Sequence, residues 1–209
     1  MGDLLESRLT AGAKALGIAL EPPQAAALLS LLSELADWNT RFNLTAITVP
    51  VDMVDKHLLD SLAASPHLRG LRIADIGTGA GFPGLPLAIA NPGRQFTLVE
   101  STGKKAGFVR HATGKLGLAN VEVAQGRAET LRPATPFDSV IARALGSLAD
   151  FVRVAGHLAG RNGRLLAMKG RPPGDELKAL PAGWKALAVH PIRVPGLDAE
   201  RCLVELGRV

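Results

Sequence analysis

The stretch Leu71-Arg-Ile-Ala-Asp75-Ile-Gly77-Thr-Gly79-Ala-Gly81-Phe-Pro-Gly84 decides the fold. Residues 71–76 predict a strand, the spaced glycines a turn, and the apolar run from Leu85 a helix. Glycine accepts positive φ and lets a ligand come close to the backbone, and the start of the following helix faces the same crevice. Downstream, further strand candidates fall at 96–100, 121–124, 137–142, 164–168, 185–190 and 201–206. Helical stretches such as 102–116 and 147–158 separate the earlier ones. That alternation predicts βαβ units, hence a parallel sheet covered on both faces. Only residues 191–200, with two prolines, separate the last two strands, so an antiparallel hairpin is expected there. Upstream, Leu4, Leu5, Leu9 and Leu16 have helical spacing up to Gly17, and Pro22-Pro23 opens a second helix through Leu35 and Trp38. A third helix is expected over 51–64, closed by Ser65-Pro66. The expected division is an N-terminal helical extension, 1–68, packed on a core domain, 69–209.

Two readings of the glycine turn compete. Gly79-x-Gly81-x-x-Gly84 matches the dinucleotide fingerprint, with Glu100 ending the next strand where a ribose-binding acid belongs. Alternatively, Asp75-x-Gly77-x-Gly79-x-Gly81 resembles the first motif of class I S-adenosylmethionine-dependent methyltransferases, where the same next-strand acid binds the ribose hydroxyls. Asp75 favours the second. A carboxylate in the turn would repel a pyrophosphate, whereas the methionine end of the sulfonium cofactor is cationic. A hydride-transfer enzyme is further weakened because the chain has no tyrosine to act as an acid.

Other stretches carry candidate chemistry. Lys104, Phe108, His111 and Lys115 follow i, i+4, i+7, i+11 and form one helix stripe. With Lys105 and Arg110 it reads either as a phosphate-binding surface or as a solvated face. In Gly126-Arg-Ala128-Glu129, the acid can accept from the exocyclic amine of adenine or favour a helix start. Arg143 ends the fourth strand and Lys169 the fifth, on the side where open α/β sheets bind ligands; each is a site candidate or one half of a salt bridge. The histidines are expected off the strand ends. No Asp/Asn-Pro-Pro-aromatic stretch is present to hold an amino nitrogen, and no cysteine falls in a loop after strand four, which excludes thiolate attack on a pyrimidine; Cys202 belongs to the last strand and the core.

Composition narrows the class. With 209 residues and 47% hydrophobic residues the chain can form a core without staples. One cysteine precludes a disulfide framework, and five scattered histidines offer no close metal-binding pair, so no metal is expected. No signal peptide or membrane span is expected either: the first residues are acidic, and 76–93 contains five glycines and three prolines. A soluble, cytoplasmic protein is expected. Residues 1–69 hold five basic and eight acidic side chains, and the remainder 19 basic and 11 acidic. A basic body suggests a polyanionic partner.

Taken together, Asn39-Thr-Arg-Phe-Asn43-Leu-Thr-Ala-Ile47, His57-Leu-Leu-Asp60-Ser61-Leu62, residues 75–87, Gly126–Glu129, Arg143-Ala and Met168-Lys-Gly resemble the bacterial RsmG (GidB) family, in order and across nearly the whole chain. The resemblance implies a class I, Rossmann-like α/β fold with a seven-stranded, mostly parallel sheet and an N-terminal helical cap. It implies an S-adenosyl-L-methionine-dependent enzyme that methylates N7 of a guanine in 16S rRNA, with naked rRNA or the 30S subunit as substrate; a monomer is expected. Cofactor contacts are implied at Gly77, Phe82, Ala128, Glu129 and Arg143, to which the residues themselves add Gly79 and Glu100. Arg143 is the positioning candidate, and no side chain is expected to exchange a proton. The RNA surface is expected at Lys104, Lys105, Arg110, Lys115 and Lys169. Asn39, Asn43, His57 and Asp60 either brace the N-terminal helices or touch RNA. A non-catalytic RNA-binding protein is the remaining alternative.

Overall fold

A computed structural model describes residues 2–209. Helix α1 covers Gly2–Ala15 and ends before Gly17, whose φ is +75°. Helix α2, Pro22–Phe42, starts at its two prolines, and the Gln24 side chain accepts a 2.8 Å bond from the Glu21 N–H. It stops at Asn43, which takes a left-handed conformation. The third helix is unbroken over residues 50–62 but is not α-helical throughout. Helix α3, Pro50–Met53, passes into a π-helical turn over Val54–Leu59 and then into a short α4, Asp60–Leu62. Such wide turns mark functional sites more often than chance.

The strands are β1 (Arg72–Ile76), β2 (Gln95–Glu100), β3 (Val121–Gln125), β4 (Phe137–Arg143), β5 (Ala159–Lys169), β6 (Trp184–Ile192) and β7 (Arg201–Arg208). They form one sheet in the order β3-β2-β1-β4-β5-β7-β6. The pairs among β1 to β5 are parallel and β7 runs antiparallel to both neighbours, as the short proline-containing connection requires. Crossovers run through α5 (Gly84–Ala90), α6 (Gly103–Lys115) and α7 (Leu148–Ala155); a short α8 (Gly174–Lys178) follows β5. Strand order reverses between β1 and β4, which places a crevice at their carboxyl ends. Among the described residues no helix is long and apolar enough to cross a membrane.

Alternation along the strands divides the core into two layers. Ile73, Ile141, Leu166 and Leu203 point to one face, where they join Phe96 and Phe108 and the leucines of α1 and α2: Leu9, Leu28, Leu31 and Leu35. Ala74, Val140, Leu165 and Val204 point to the other and pack on Phe151 of α7. The N-terminal helices thus have no core apart from that of the sheet.

Helix α5 lies so close to the sheet that Gly84 admits no side chain. A Cβ there would fall 2.2 Å from Leu98 Cδ2 and 2.7 Å from Asp75 Oδ2. Gly84→Ala should therefore destabilise the fold by about 1–3 kcal/mol, through overpacking. Urea unfolding measures this, and an unchanged midpoint would show that α5 moves aside freely.

Candidate active site

The glycine turn is anchored below and beside. The Gly77 and Thr78 amides both donate to Val99 O, at 2.9 and 3.1 Å, which docks the turn on β2. Beneath it, the fully buried Asp75 carboxylate accepts from Thr78 Oγ1 (2.5 Å) and from the Gly84 amide (2.8 Å) through Oδ2. Its Oδ1 has no partner among the described residues. Burial pushes the Asp75 carboxyl up to about 6, although Thr78, Gly84 and Arg143 favour the charged form. The sequence suggested that this carboxylate faces a ligand. Instead it points inward and closes the turn.

The surface of the turn belongs to Gly79 and Glu100. Gly79 has φ +61°, and a Cβ there would meet nothing nearer than Gly77 O at 4.0 Å, so the backbone lies open to the crevice. Its amide donates to Glu100 Oε2 at 2.9 Å, and the Thr102 amide to Oε1 at 2.7 Å. Those bonds orient the carboxylate and leave a lone pair on each oxygen. Beside it, the Gly126 amide donates to Glu100 O, and a single turn at Ala128–Thr130 places buried Ala128 and exposed Glu129 past the end of β3. Gly77, Gly79, Glu100, Ala128 and Glu129 thus follow the carboxyl ends of three adjacent strands.

The other half of the crevice is built by the N-terminal segment. Arg143 Nη1 at the end of β4 donates to Asp60 Oδ2 (3.0 Å) and to the Lys56 carbonyl (3.1 Å). Asp60 Oδ1 accepts from Arg201 Nε at 3.0 Å, so one buried carboxylate joins the helical segment, β4 and β7. Phe82 is buried, with His57 stacked on its ring (4.6 Å between centroids, 20°) and the Arg143 guanidinium 5.8 Å from its centroid. The Phe82 side chain thus braces this half of the crevice. His57 Nε2 lies 3.0 Å from Thr45 Oγ1, and Asn39 Oδ1 accepts from the Leu44 and Thr45 amides. Asn39 and Asn43 shape that loop, while His57 and Asp60 reach the crevice. A cavity of about 420 Å³ opens here, lined in part by Lys56, His57, Asp60, Arg143, Lys169 and Arg201.

The resemblance marked His57 without placing it, and Arg201 was not legible as a site residue. Sequence reasoning put the histidines off the strand ends, yet the π-helical turn carries His57 onto Phe82. Arg201 lies 141 positions from Asp60, beyond the reach of any local pattern.

The basic candidates divide. Lys104 Nζ donates to Phe42 O at the carboxyl end of α2, Phe108 packs edge-on against Trp38, and His111 pairs with Glu34 at 2.7 Å. Three of the four stripe residues therefore dock α6 on α2. Lys169 Nζ is bound to the Gly146 carbonyl and both oxygens of Glu176. Arg110 is exposed and donates to Gln125 Oε1; Lys115 is exposed and Lys105 partly so.

Burial, aided by the Arg143 charge, lowers the His57 pKa from 6.5 to about 4. Between those values the unfolded chain binds the proton and the folded chain does not, so stability is full above 6.5 and declines as pH falls towards 4. Asp75 acts oppositely over much of that range, because its raised pKa makes the folded form the better proton binder. Comparison with a variant isolates the histidine. The stability of wild type relative to His57→Gln should grow by up to about 3 kcal/mol as pH rises from 4 to 6.5. Urea unfolding across that range checks it; a constant difference would show that His57 titrates normally.

Comparison with known proteins bears on the family and the fold. The family described as rRNA small subunit methyltransferase G (GidB) matches residues 24–204. The Ribosomal RNA small subunit methyltransferase G of Azoarcus sp. (strain BH72) is 48% identical over 202 residues, 96% of this chain and 95% of the relative. That of Stenotrophomonas maltophilia (strain K279a) is 54% identical over 189 residues, 90% and 87% of the two chains. Among solved structures, the O-methyltransferase TomG from Streptomyces achromogenes superposes with a TM-score of 0.59 at 19% identity, covering 92% of both chains, which shows a class I methyltransferase fold. A family match over most of the length and identities near 50% leave one assignment: this chain belongs to the rRNA small subunit methyltransferase G family.

Proposed function

We propose that the chain transfers a methyl group from S-adenosyl-L-methionine to N7 of a guanine in 16S rRNA of the small ribosomal subunit. Relatives near 50% identity are described as small-subunit rRNA methyltransferases over almost their whole length, which supports the reaction class and the substrate. The crevice residues fit the cofactor. The surface over Gly79 is open, Glu100 presents fixed acceptor lone pairs suited to vicinal ribose hydroxyls, and Glu129 is an exposed acid beyond the next strand. Bound there, S-adenosylmethionine would supply an electrophilic methyl on a sulfonium.

One observation carries the choice of N7: the buried acids around the crevice are already engaged by the protein, and burial makes its histidine a weak base. Asp60 is held by two arginines, Asp75 lies beneath the turn, and Glu100 accepts two amides. The lowered pKa of His57, about 4, makes it a poor proton acceptor, and exposed Glu129 is assigned to the adenine of the cofactor. A group that must lose a proton before attack would find no strong base beside the Arg143 half of the crevice. Guanine N7 has an unprotonated lone pair at neutral pH and needs none. The chain's task is then to orient the purine and exclude water, which is catalysis by proximity. Arg143, with its guanidinium fixed by Asp60, positions and does not exchange protons. For the RNA backbone, exposed Arg110 and partly exposed Lys105 are free to meet phosphate, exposed Lys115 closes α6 at the end away from the crevice, and Lys104 and Lys169 contribute where the RNA displaces their present partners.

The test is to incubate the protein and S-adenosylmethionine with undermethylated 30S subunits and with naked 16S rRNA. Borohydride reduction and aniline cleavage then map N7-methylguanosine. Scission at one guanine is expected. Methyl incorporation without aniline-sensitive scission would move the target to another atom.

A further inference from the structure

The π-helical turn Val54–Leu59 is held on its outer side by a residue remote from the crevice. Arg8 of α1 grips Asp55 with two bonds, Nε to Oδ1 at 2.7 Å and Nη2 to Oδ2 at 2.6 Å. Asp55 is 3% exposed. The connection between β6 and β7 closes over the pair: a Cβ on Gly196 would fall 2.5 Å from Arg8 Nη2 and 2.6 Å from Asp55 Oδ2. On its inner side the same turn supplies the crevice. The carbonyl of Lys56, next in sequence, accepts from Arg143, His57 stacks on Phe82, and Asp60 immediately after the turn pairs with Arg143 and Arg201.

We infer that Arg8 is a positioning residue for methyl transfer, acting through its fork on Asp55 to set the rotation of the turn that holds Arg143 and Phe82. The inference rests on the methyltransferase reading above. A planar guanidinium bound at two points fixes the angle of a carboxylate as well as its distance, and an ammonium at one point does not. Asp55 adjoins Lys56 in a wide helical turn, so rotation of Asp55 towards water carries the Lys56 carbonyl and the His57 ring away from their partners. Displacement of about 1 Å in a catalytic constellation can cost on the order of a hundredfold in rate. Arg8 makes no crevice contact, so its loss should lower kcat and leave the KM for RNA near its wild-type value.

Removing Arg8 alone strands a buried carboxylate and can unfold the chain. The informative variants are therefore Arg8→Lys, which keeps the charge without the fork, and Arg8→Ala/Asp55→Asn, which removes both charges. Steady-state methylation of undermethylated 30S subunits is measured with thermal melting of each protein. Folded variants with kcat reduced roughly tenfold or more and an RNA KM within twofold support the inference. Folded variants with kcat within twofold of wild type overturn it, as does a change confined to KM. If both variants melt below the assay temperature, kcat is taken at a temperature where they are folded, and the same two outcomes decide. Absence of methyl transfer by the wild-type protein would instead count against the proposed function, which separates the two failures.

Discussion

The glycine turn is gripped by two carboxylates from opposite sides, and the rest of the crevice is arranged around that grip. Asp75 holds it from beneath through Thr78 and Gly84, and Glu100 holds it from the neighbouring strand through the Gly79 amide. The cost is a buried acid with an orphaned oxygen and a raised pKa. The gain is a stretch of backbone at positive φ that cannot collapse into the crevice. Asp75 is fully buried beneath the turn, while Glu100 keeps acceptor capacity beyond its two amide bonds.

A third carboxylate, Asp60, performs the equivalent service for the other half. By pairing with Arg143 and Arg201 it joins parts of the chain that local order keeps far apart. The N-terminal segment consequently forms a wall of the site, and its leucines share the core of the sheet. Replacement of a buried ion-pair network by well-packed apolar groups often preserves stability. The value of this network lies in fixing the orientation of Arg143 and Phe82, which a hydrophobic contact would leave free to slide.

The parallel sheet, the glycine turn and the closing hairpin were legible because each is local: a change of hydrophobic period, a run of alternate glycines, a connection too short for a helix. Strand ends made Glu100, Glu129 and Arg143 legible as crevice candidates, whereas Ala128 came from the family resemblance. The basic stripe on α6 was ambiguous for a physical reason. Spacing assigns residues to a face without saying what covers it, and here Trp38, Glu34 and the end of α2 cover most of it. The π-helical turn left no signature in the sequence either. It depends on tertiary partners on both sides, Arg8 without and Phe82 within, and only the assembled chain brings His57 and Arg201 to the crevice.

That the gripped turn is the cofactor's seat is tested most directly by a crystal structure of the chain with S-adenosylhomocysteine. The account predicts both ribose hydroxyls within hydrogen-bond distance of the Glu100 carboxylate, about 2.7–3.1 Å, and the Asp75 carboxylate still buried against Thr78 and Gly84. A ligand whose ribose lies away from Glu100, or whose methionine end draws Asp75 out of the turn, would contradict it.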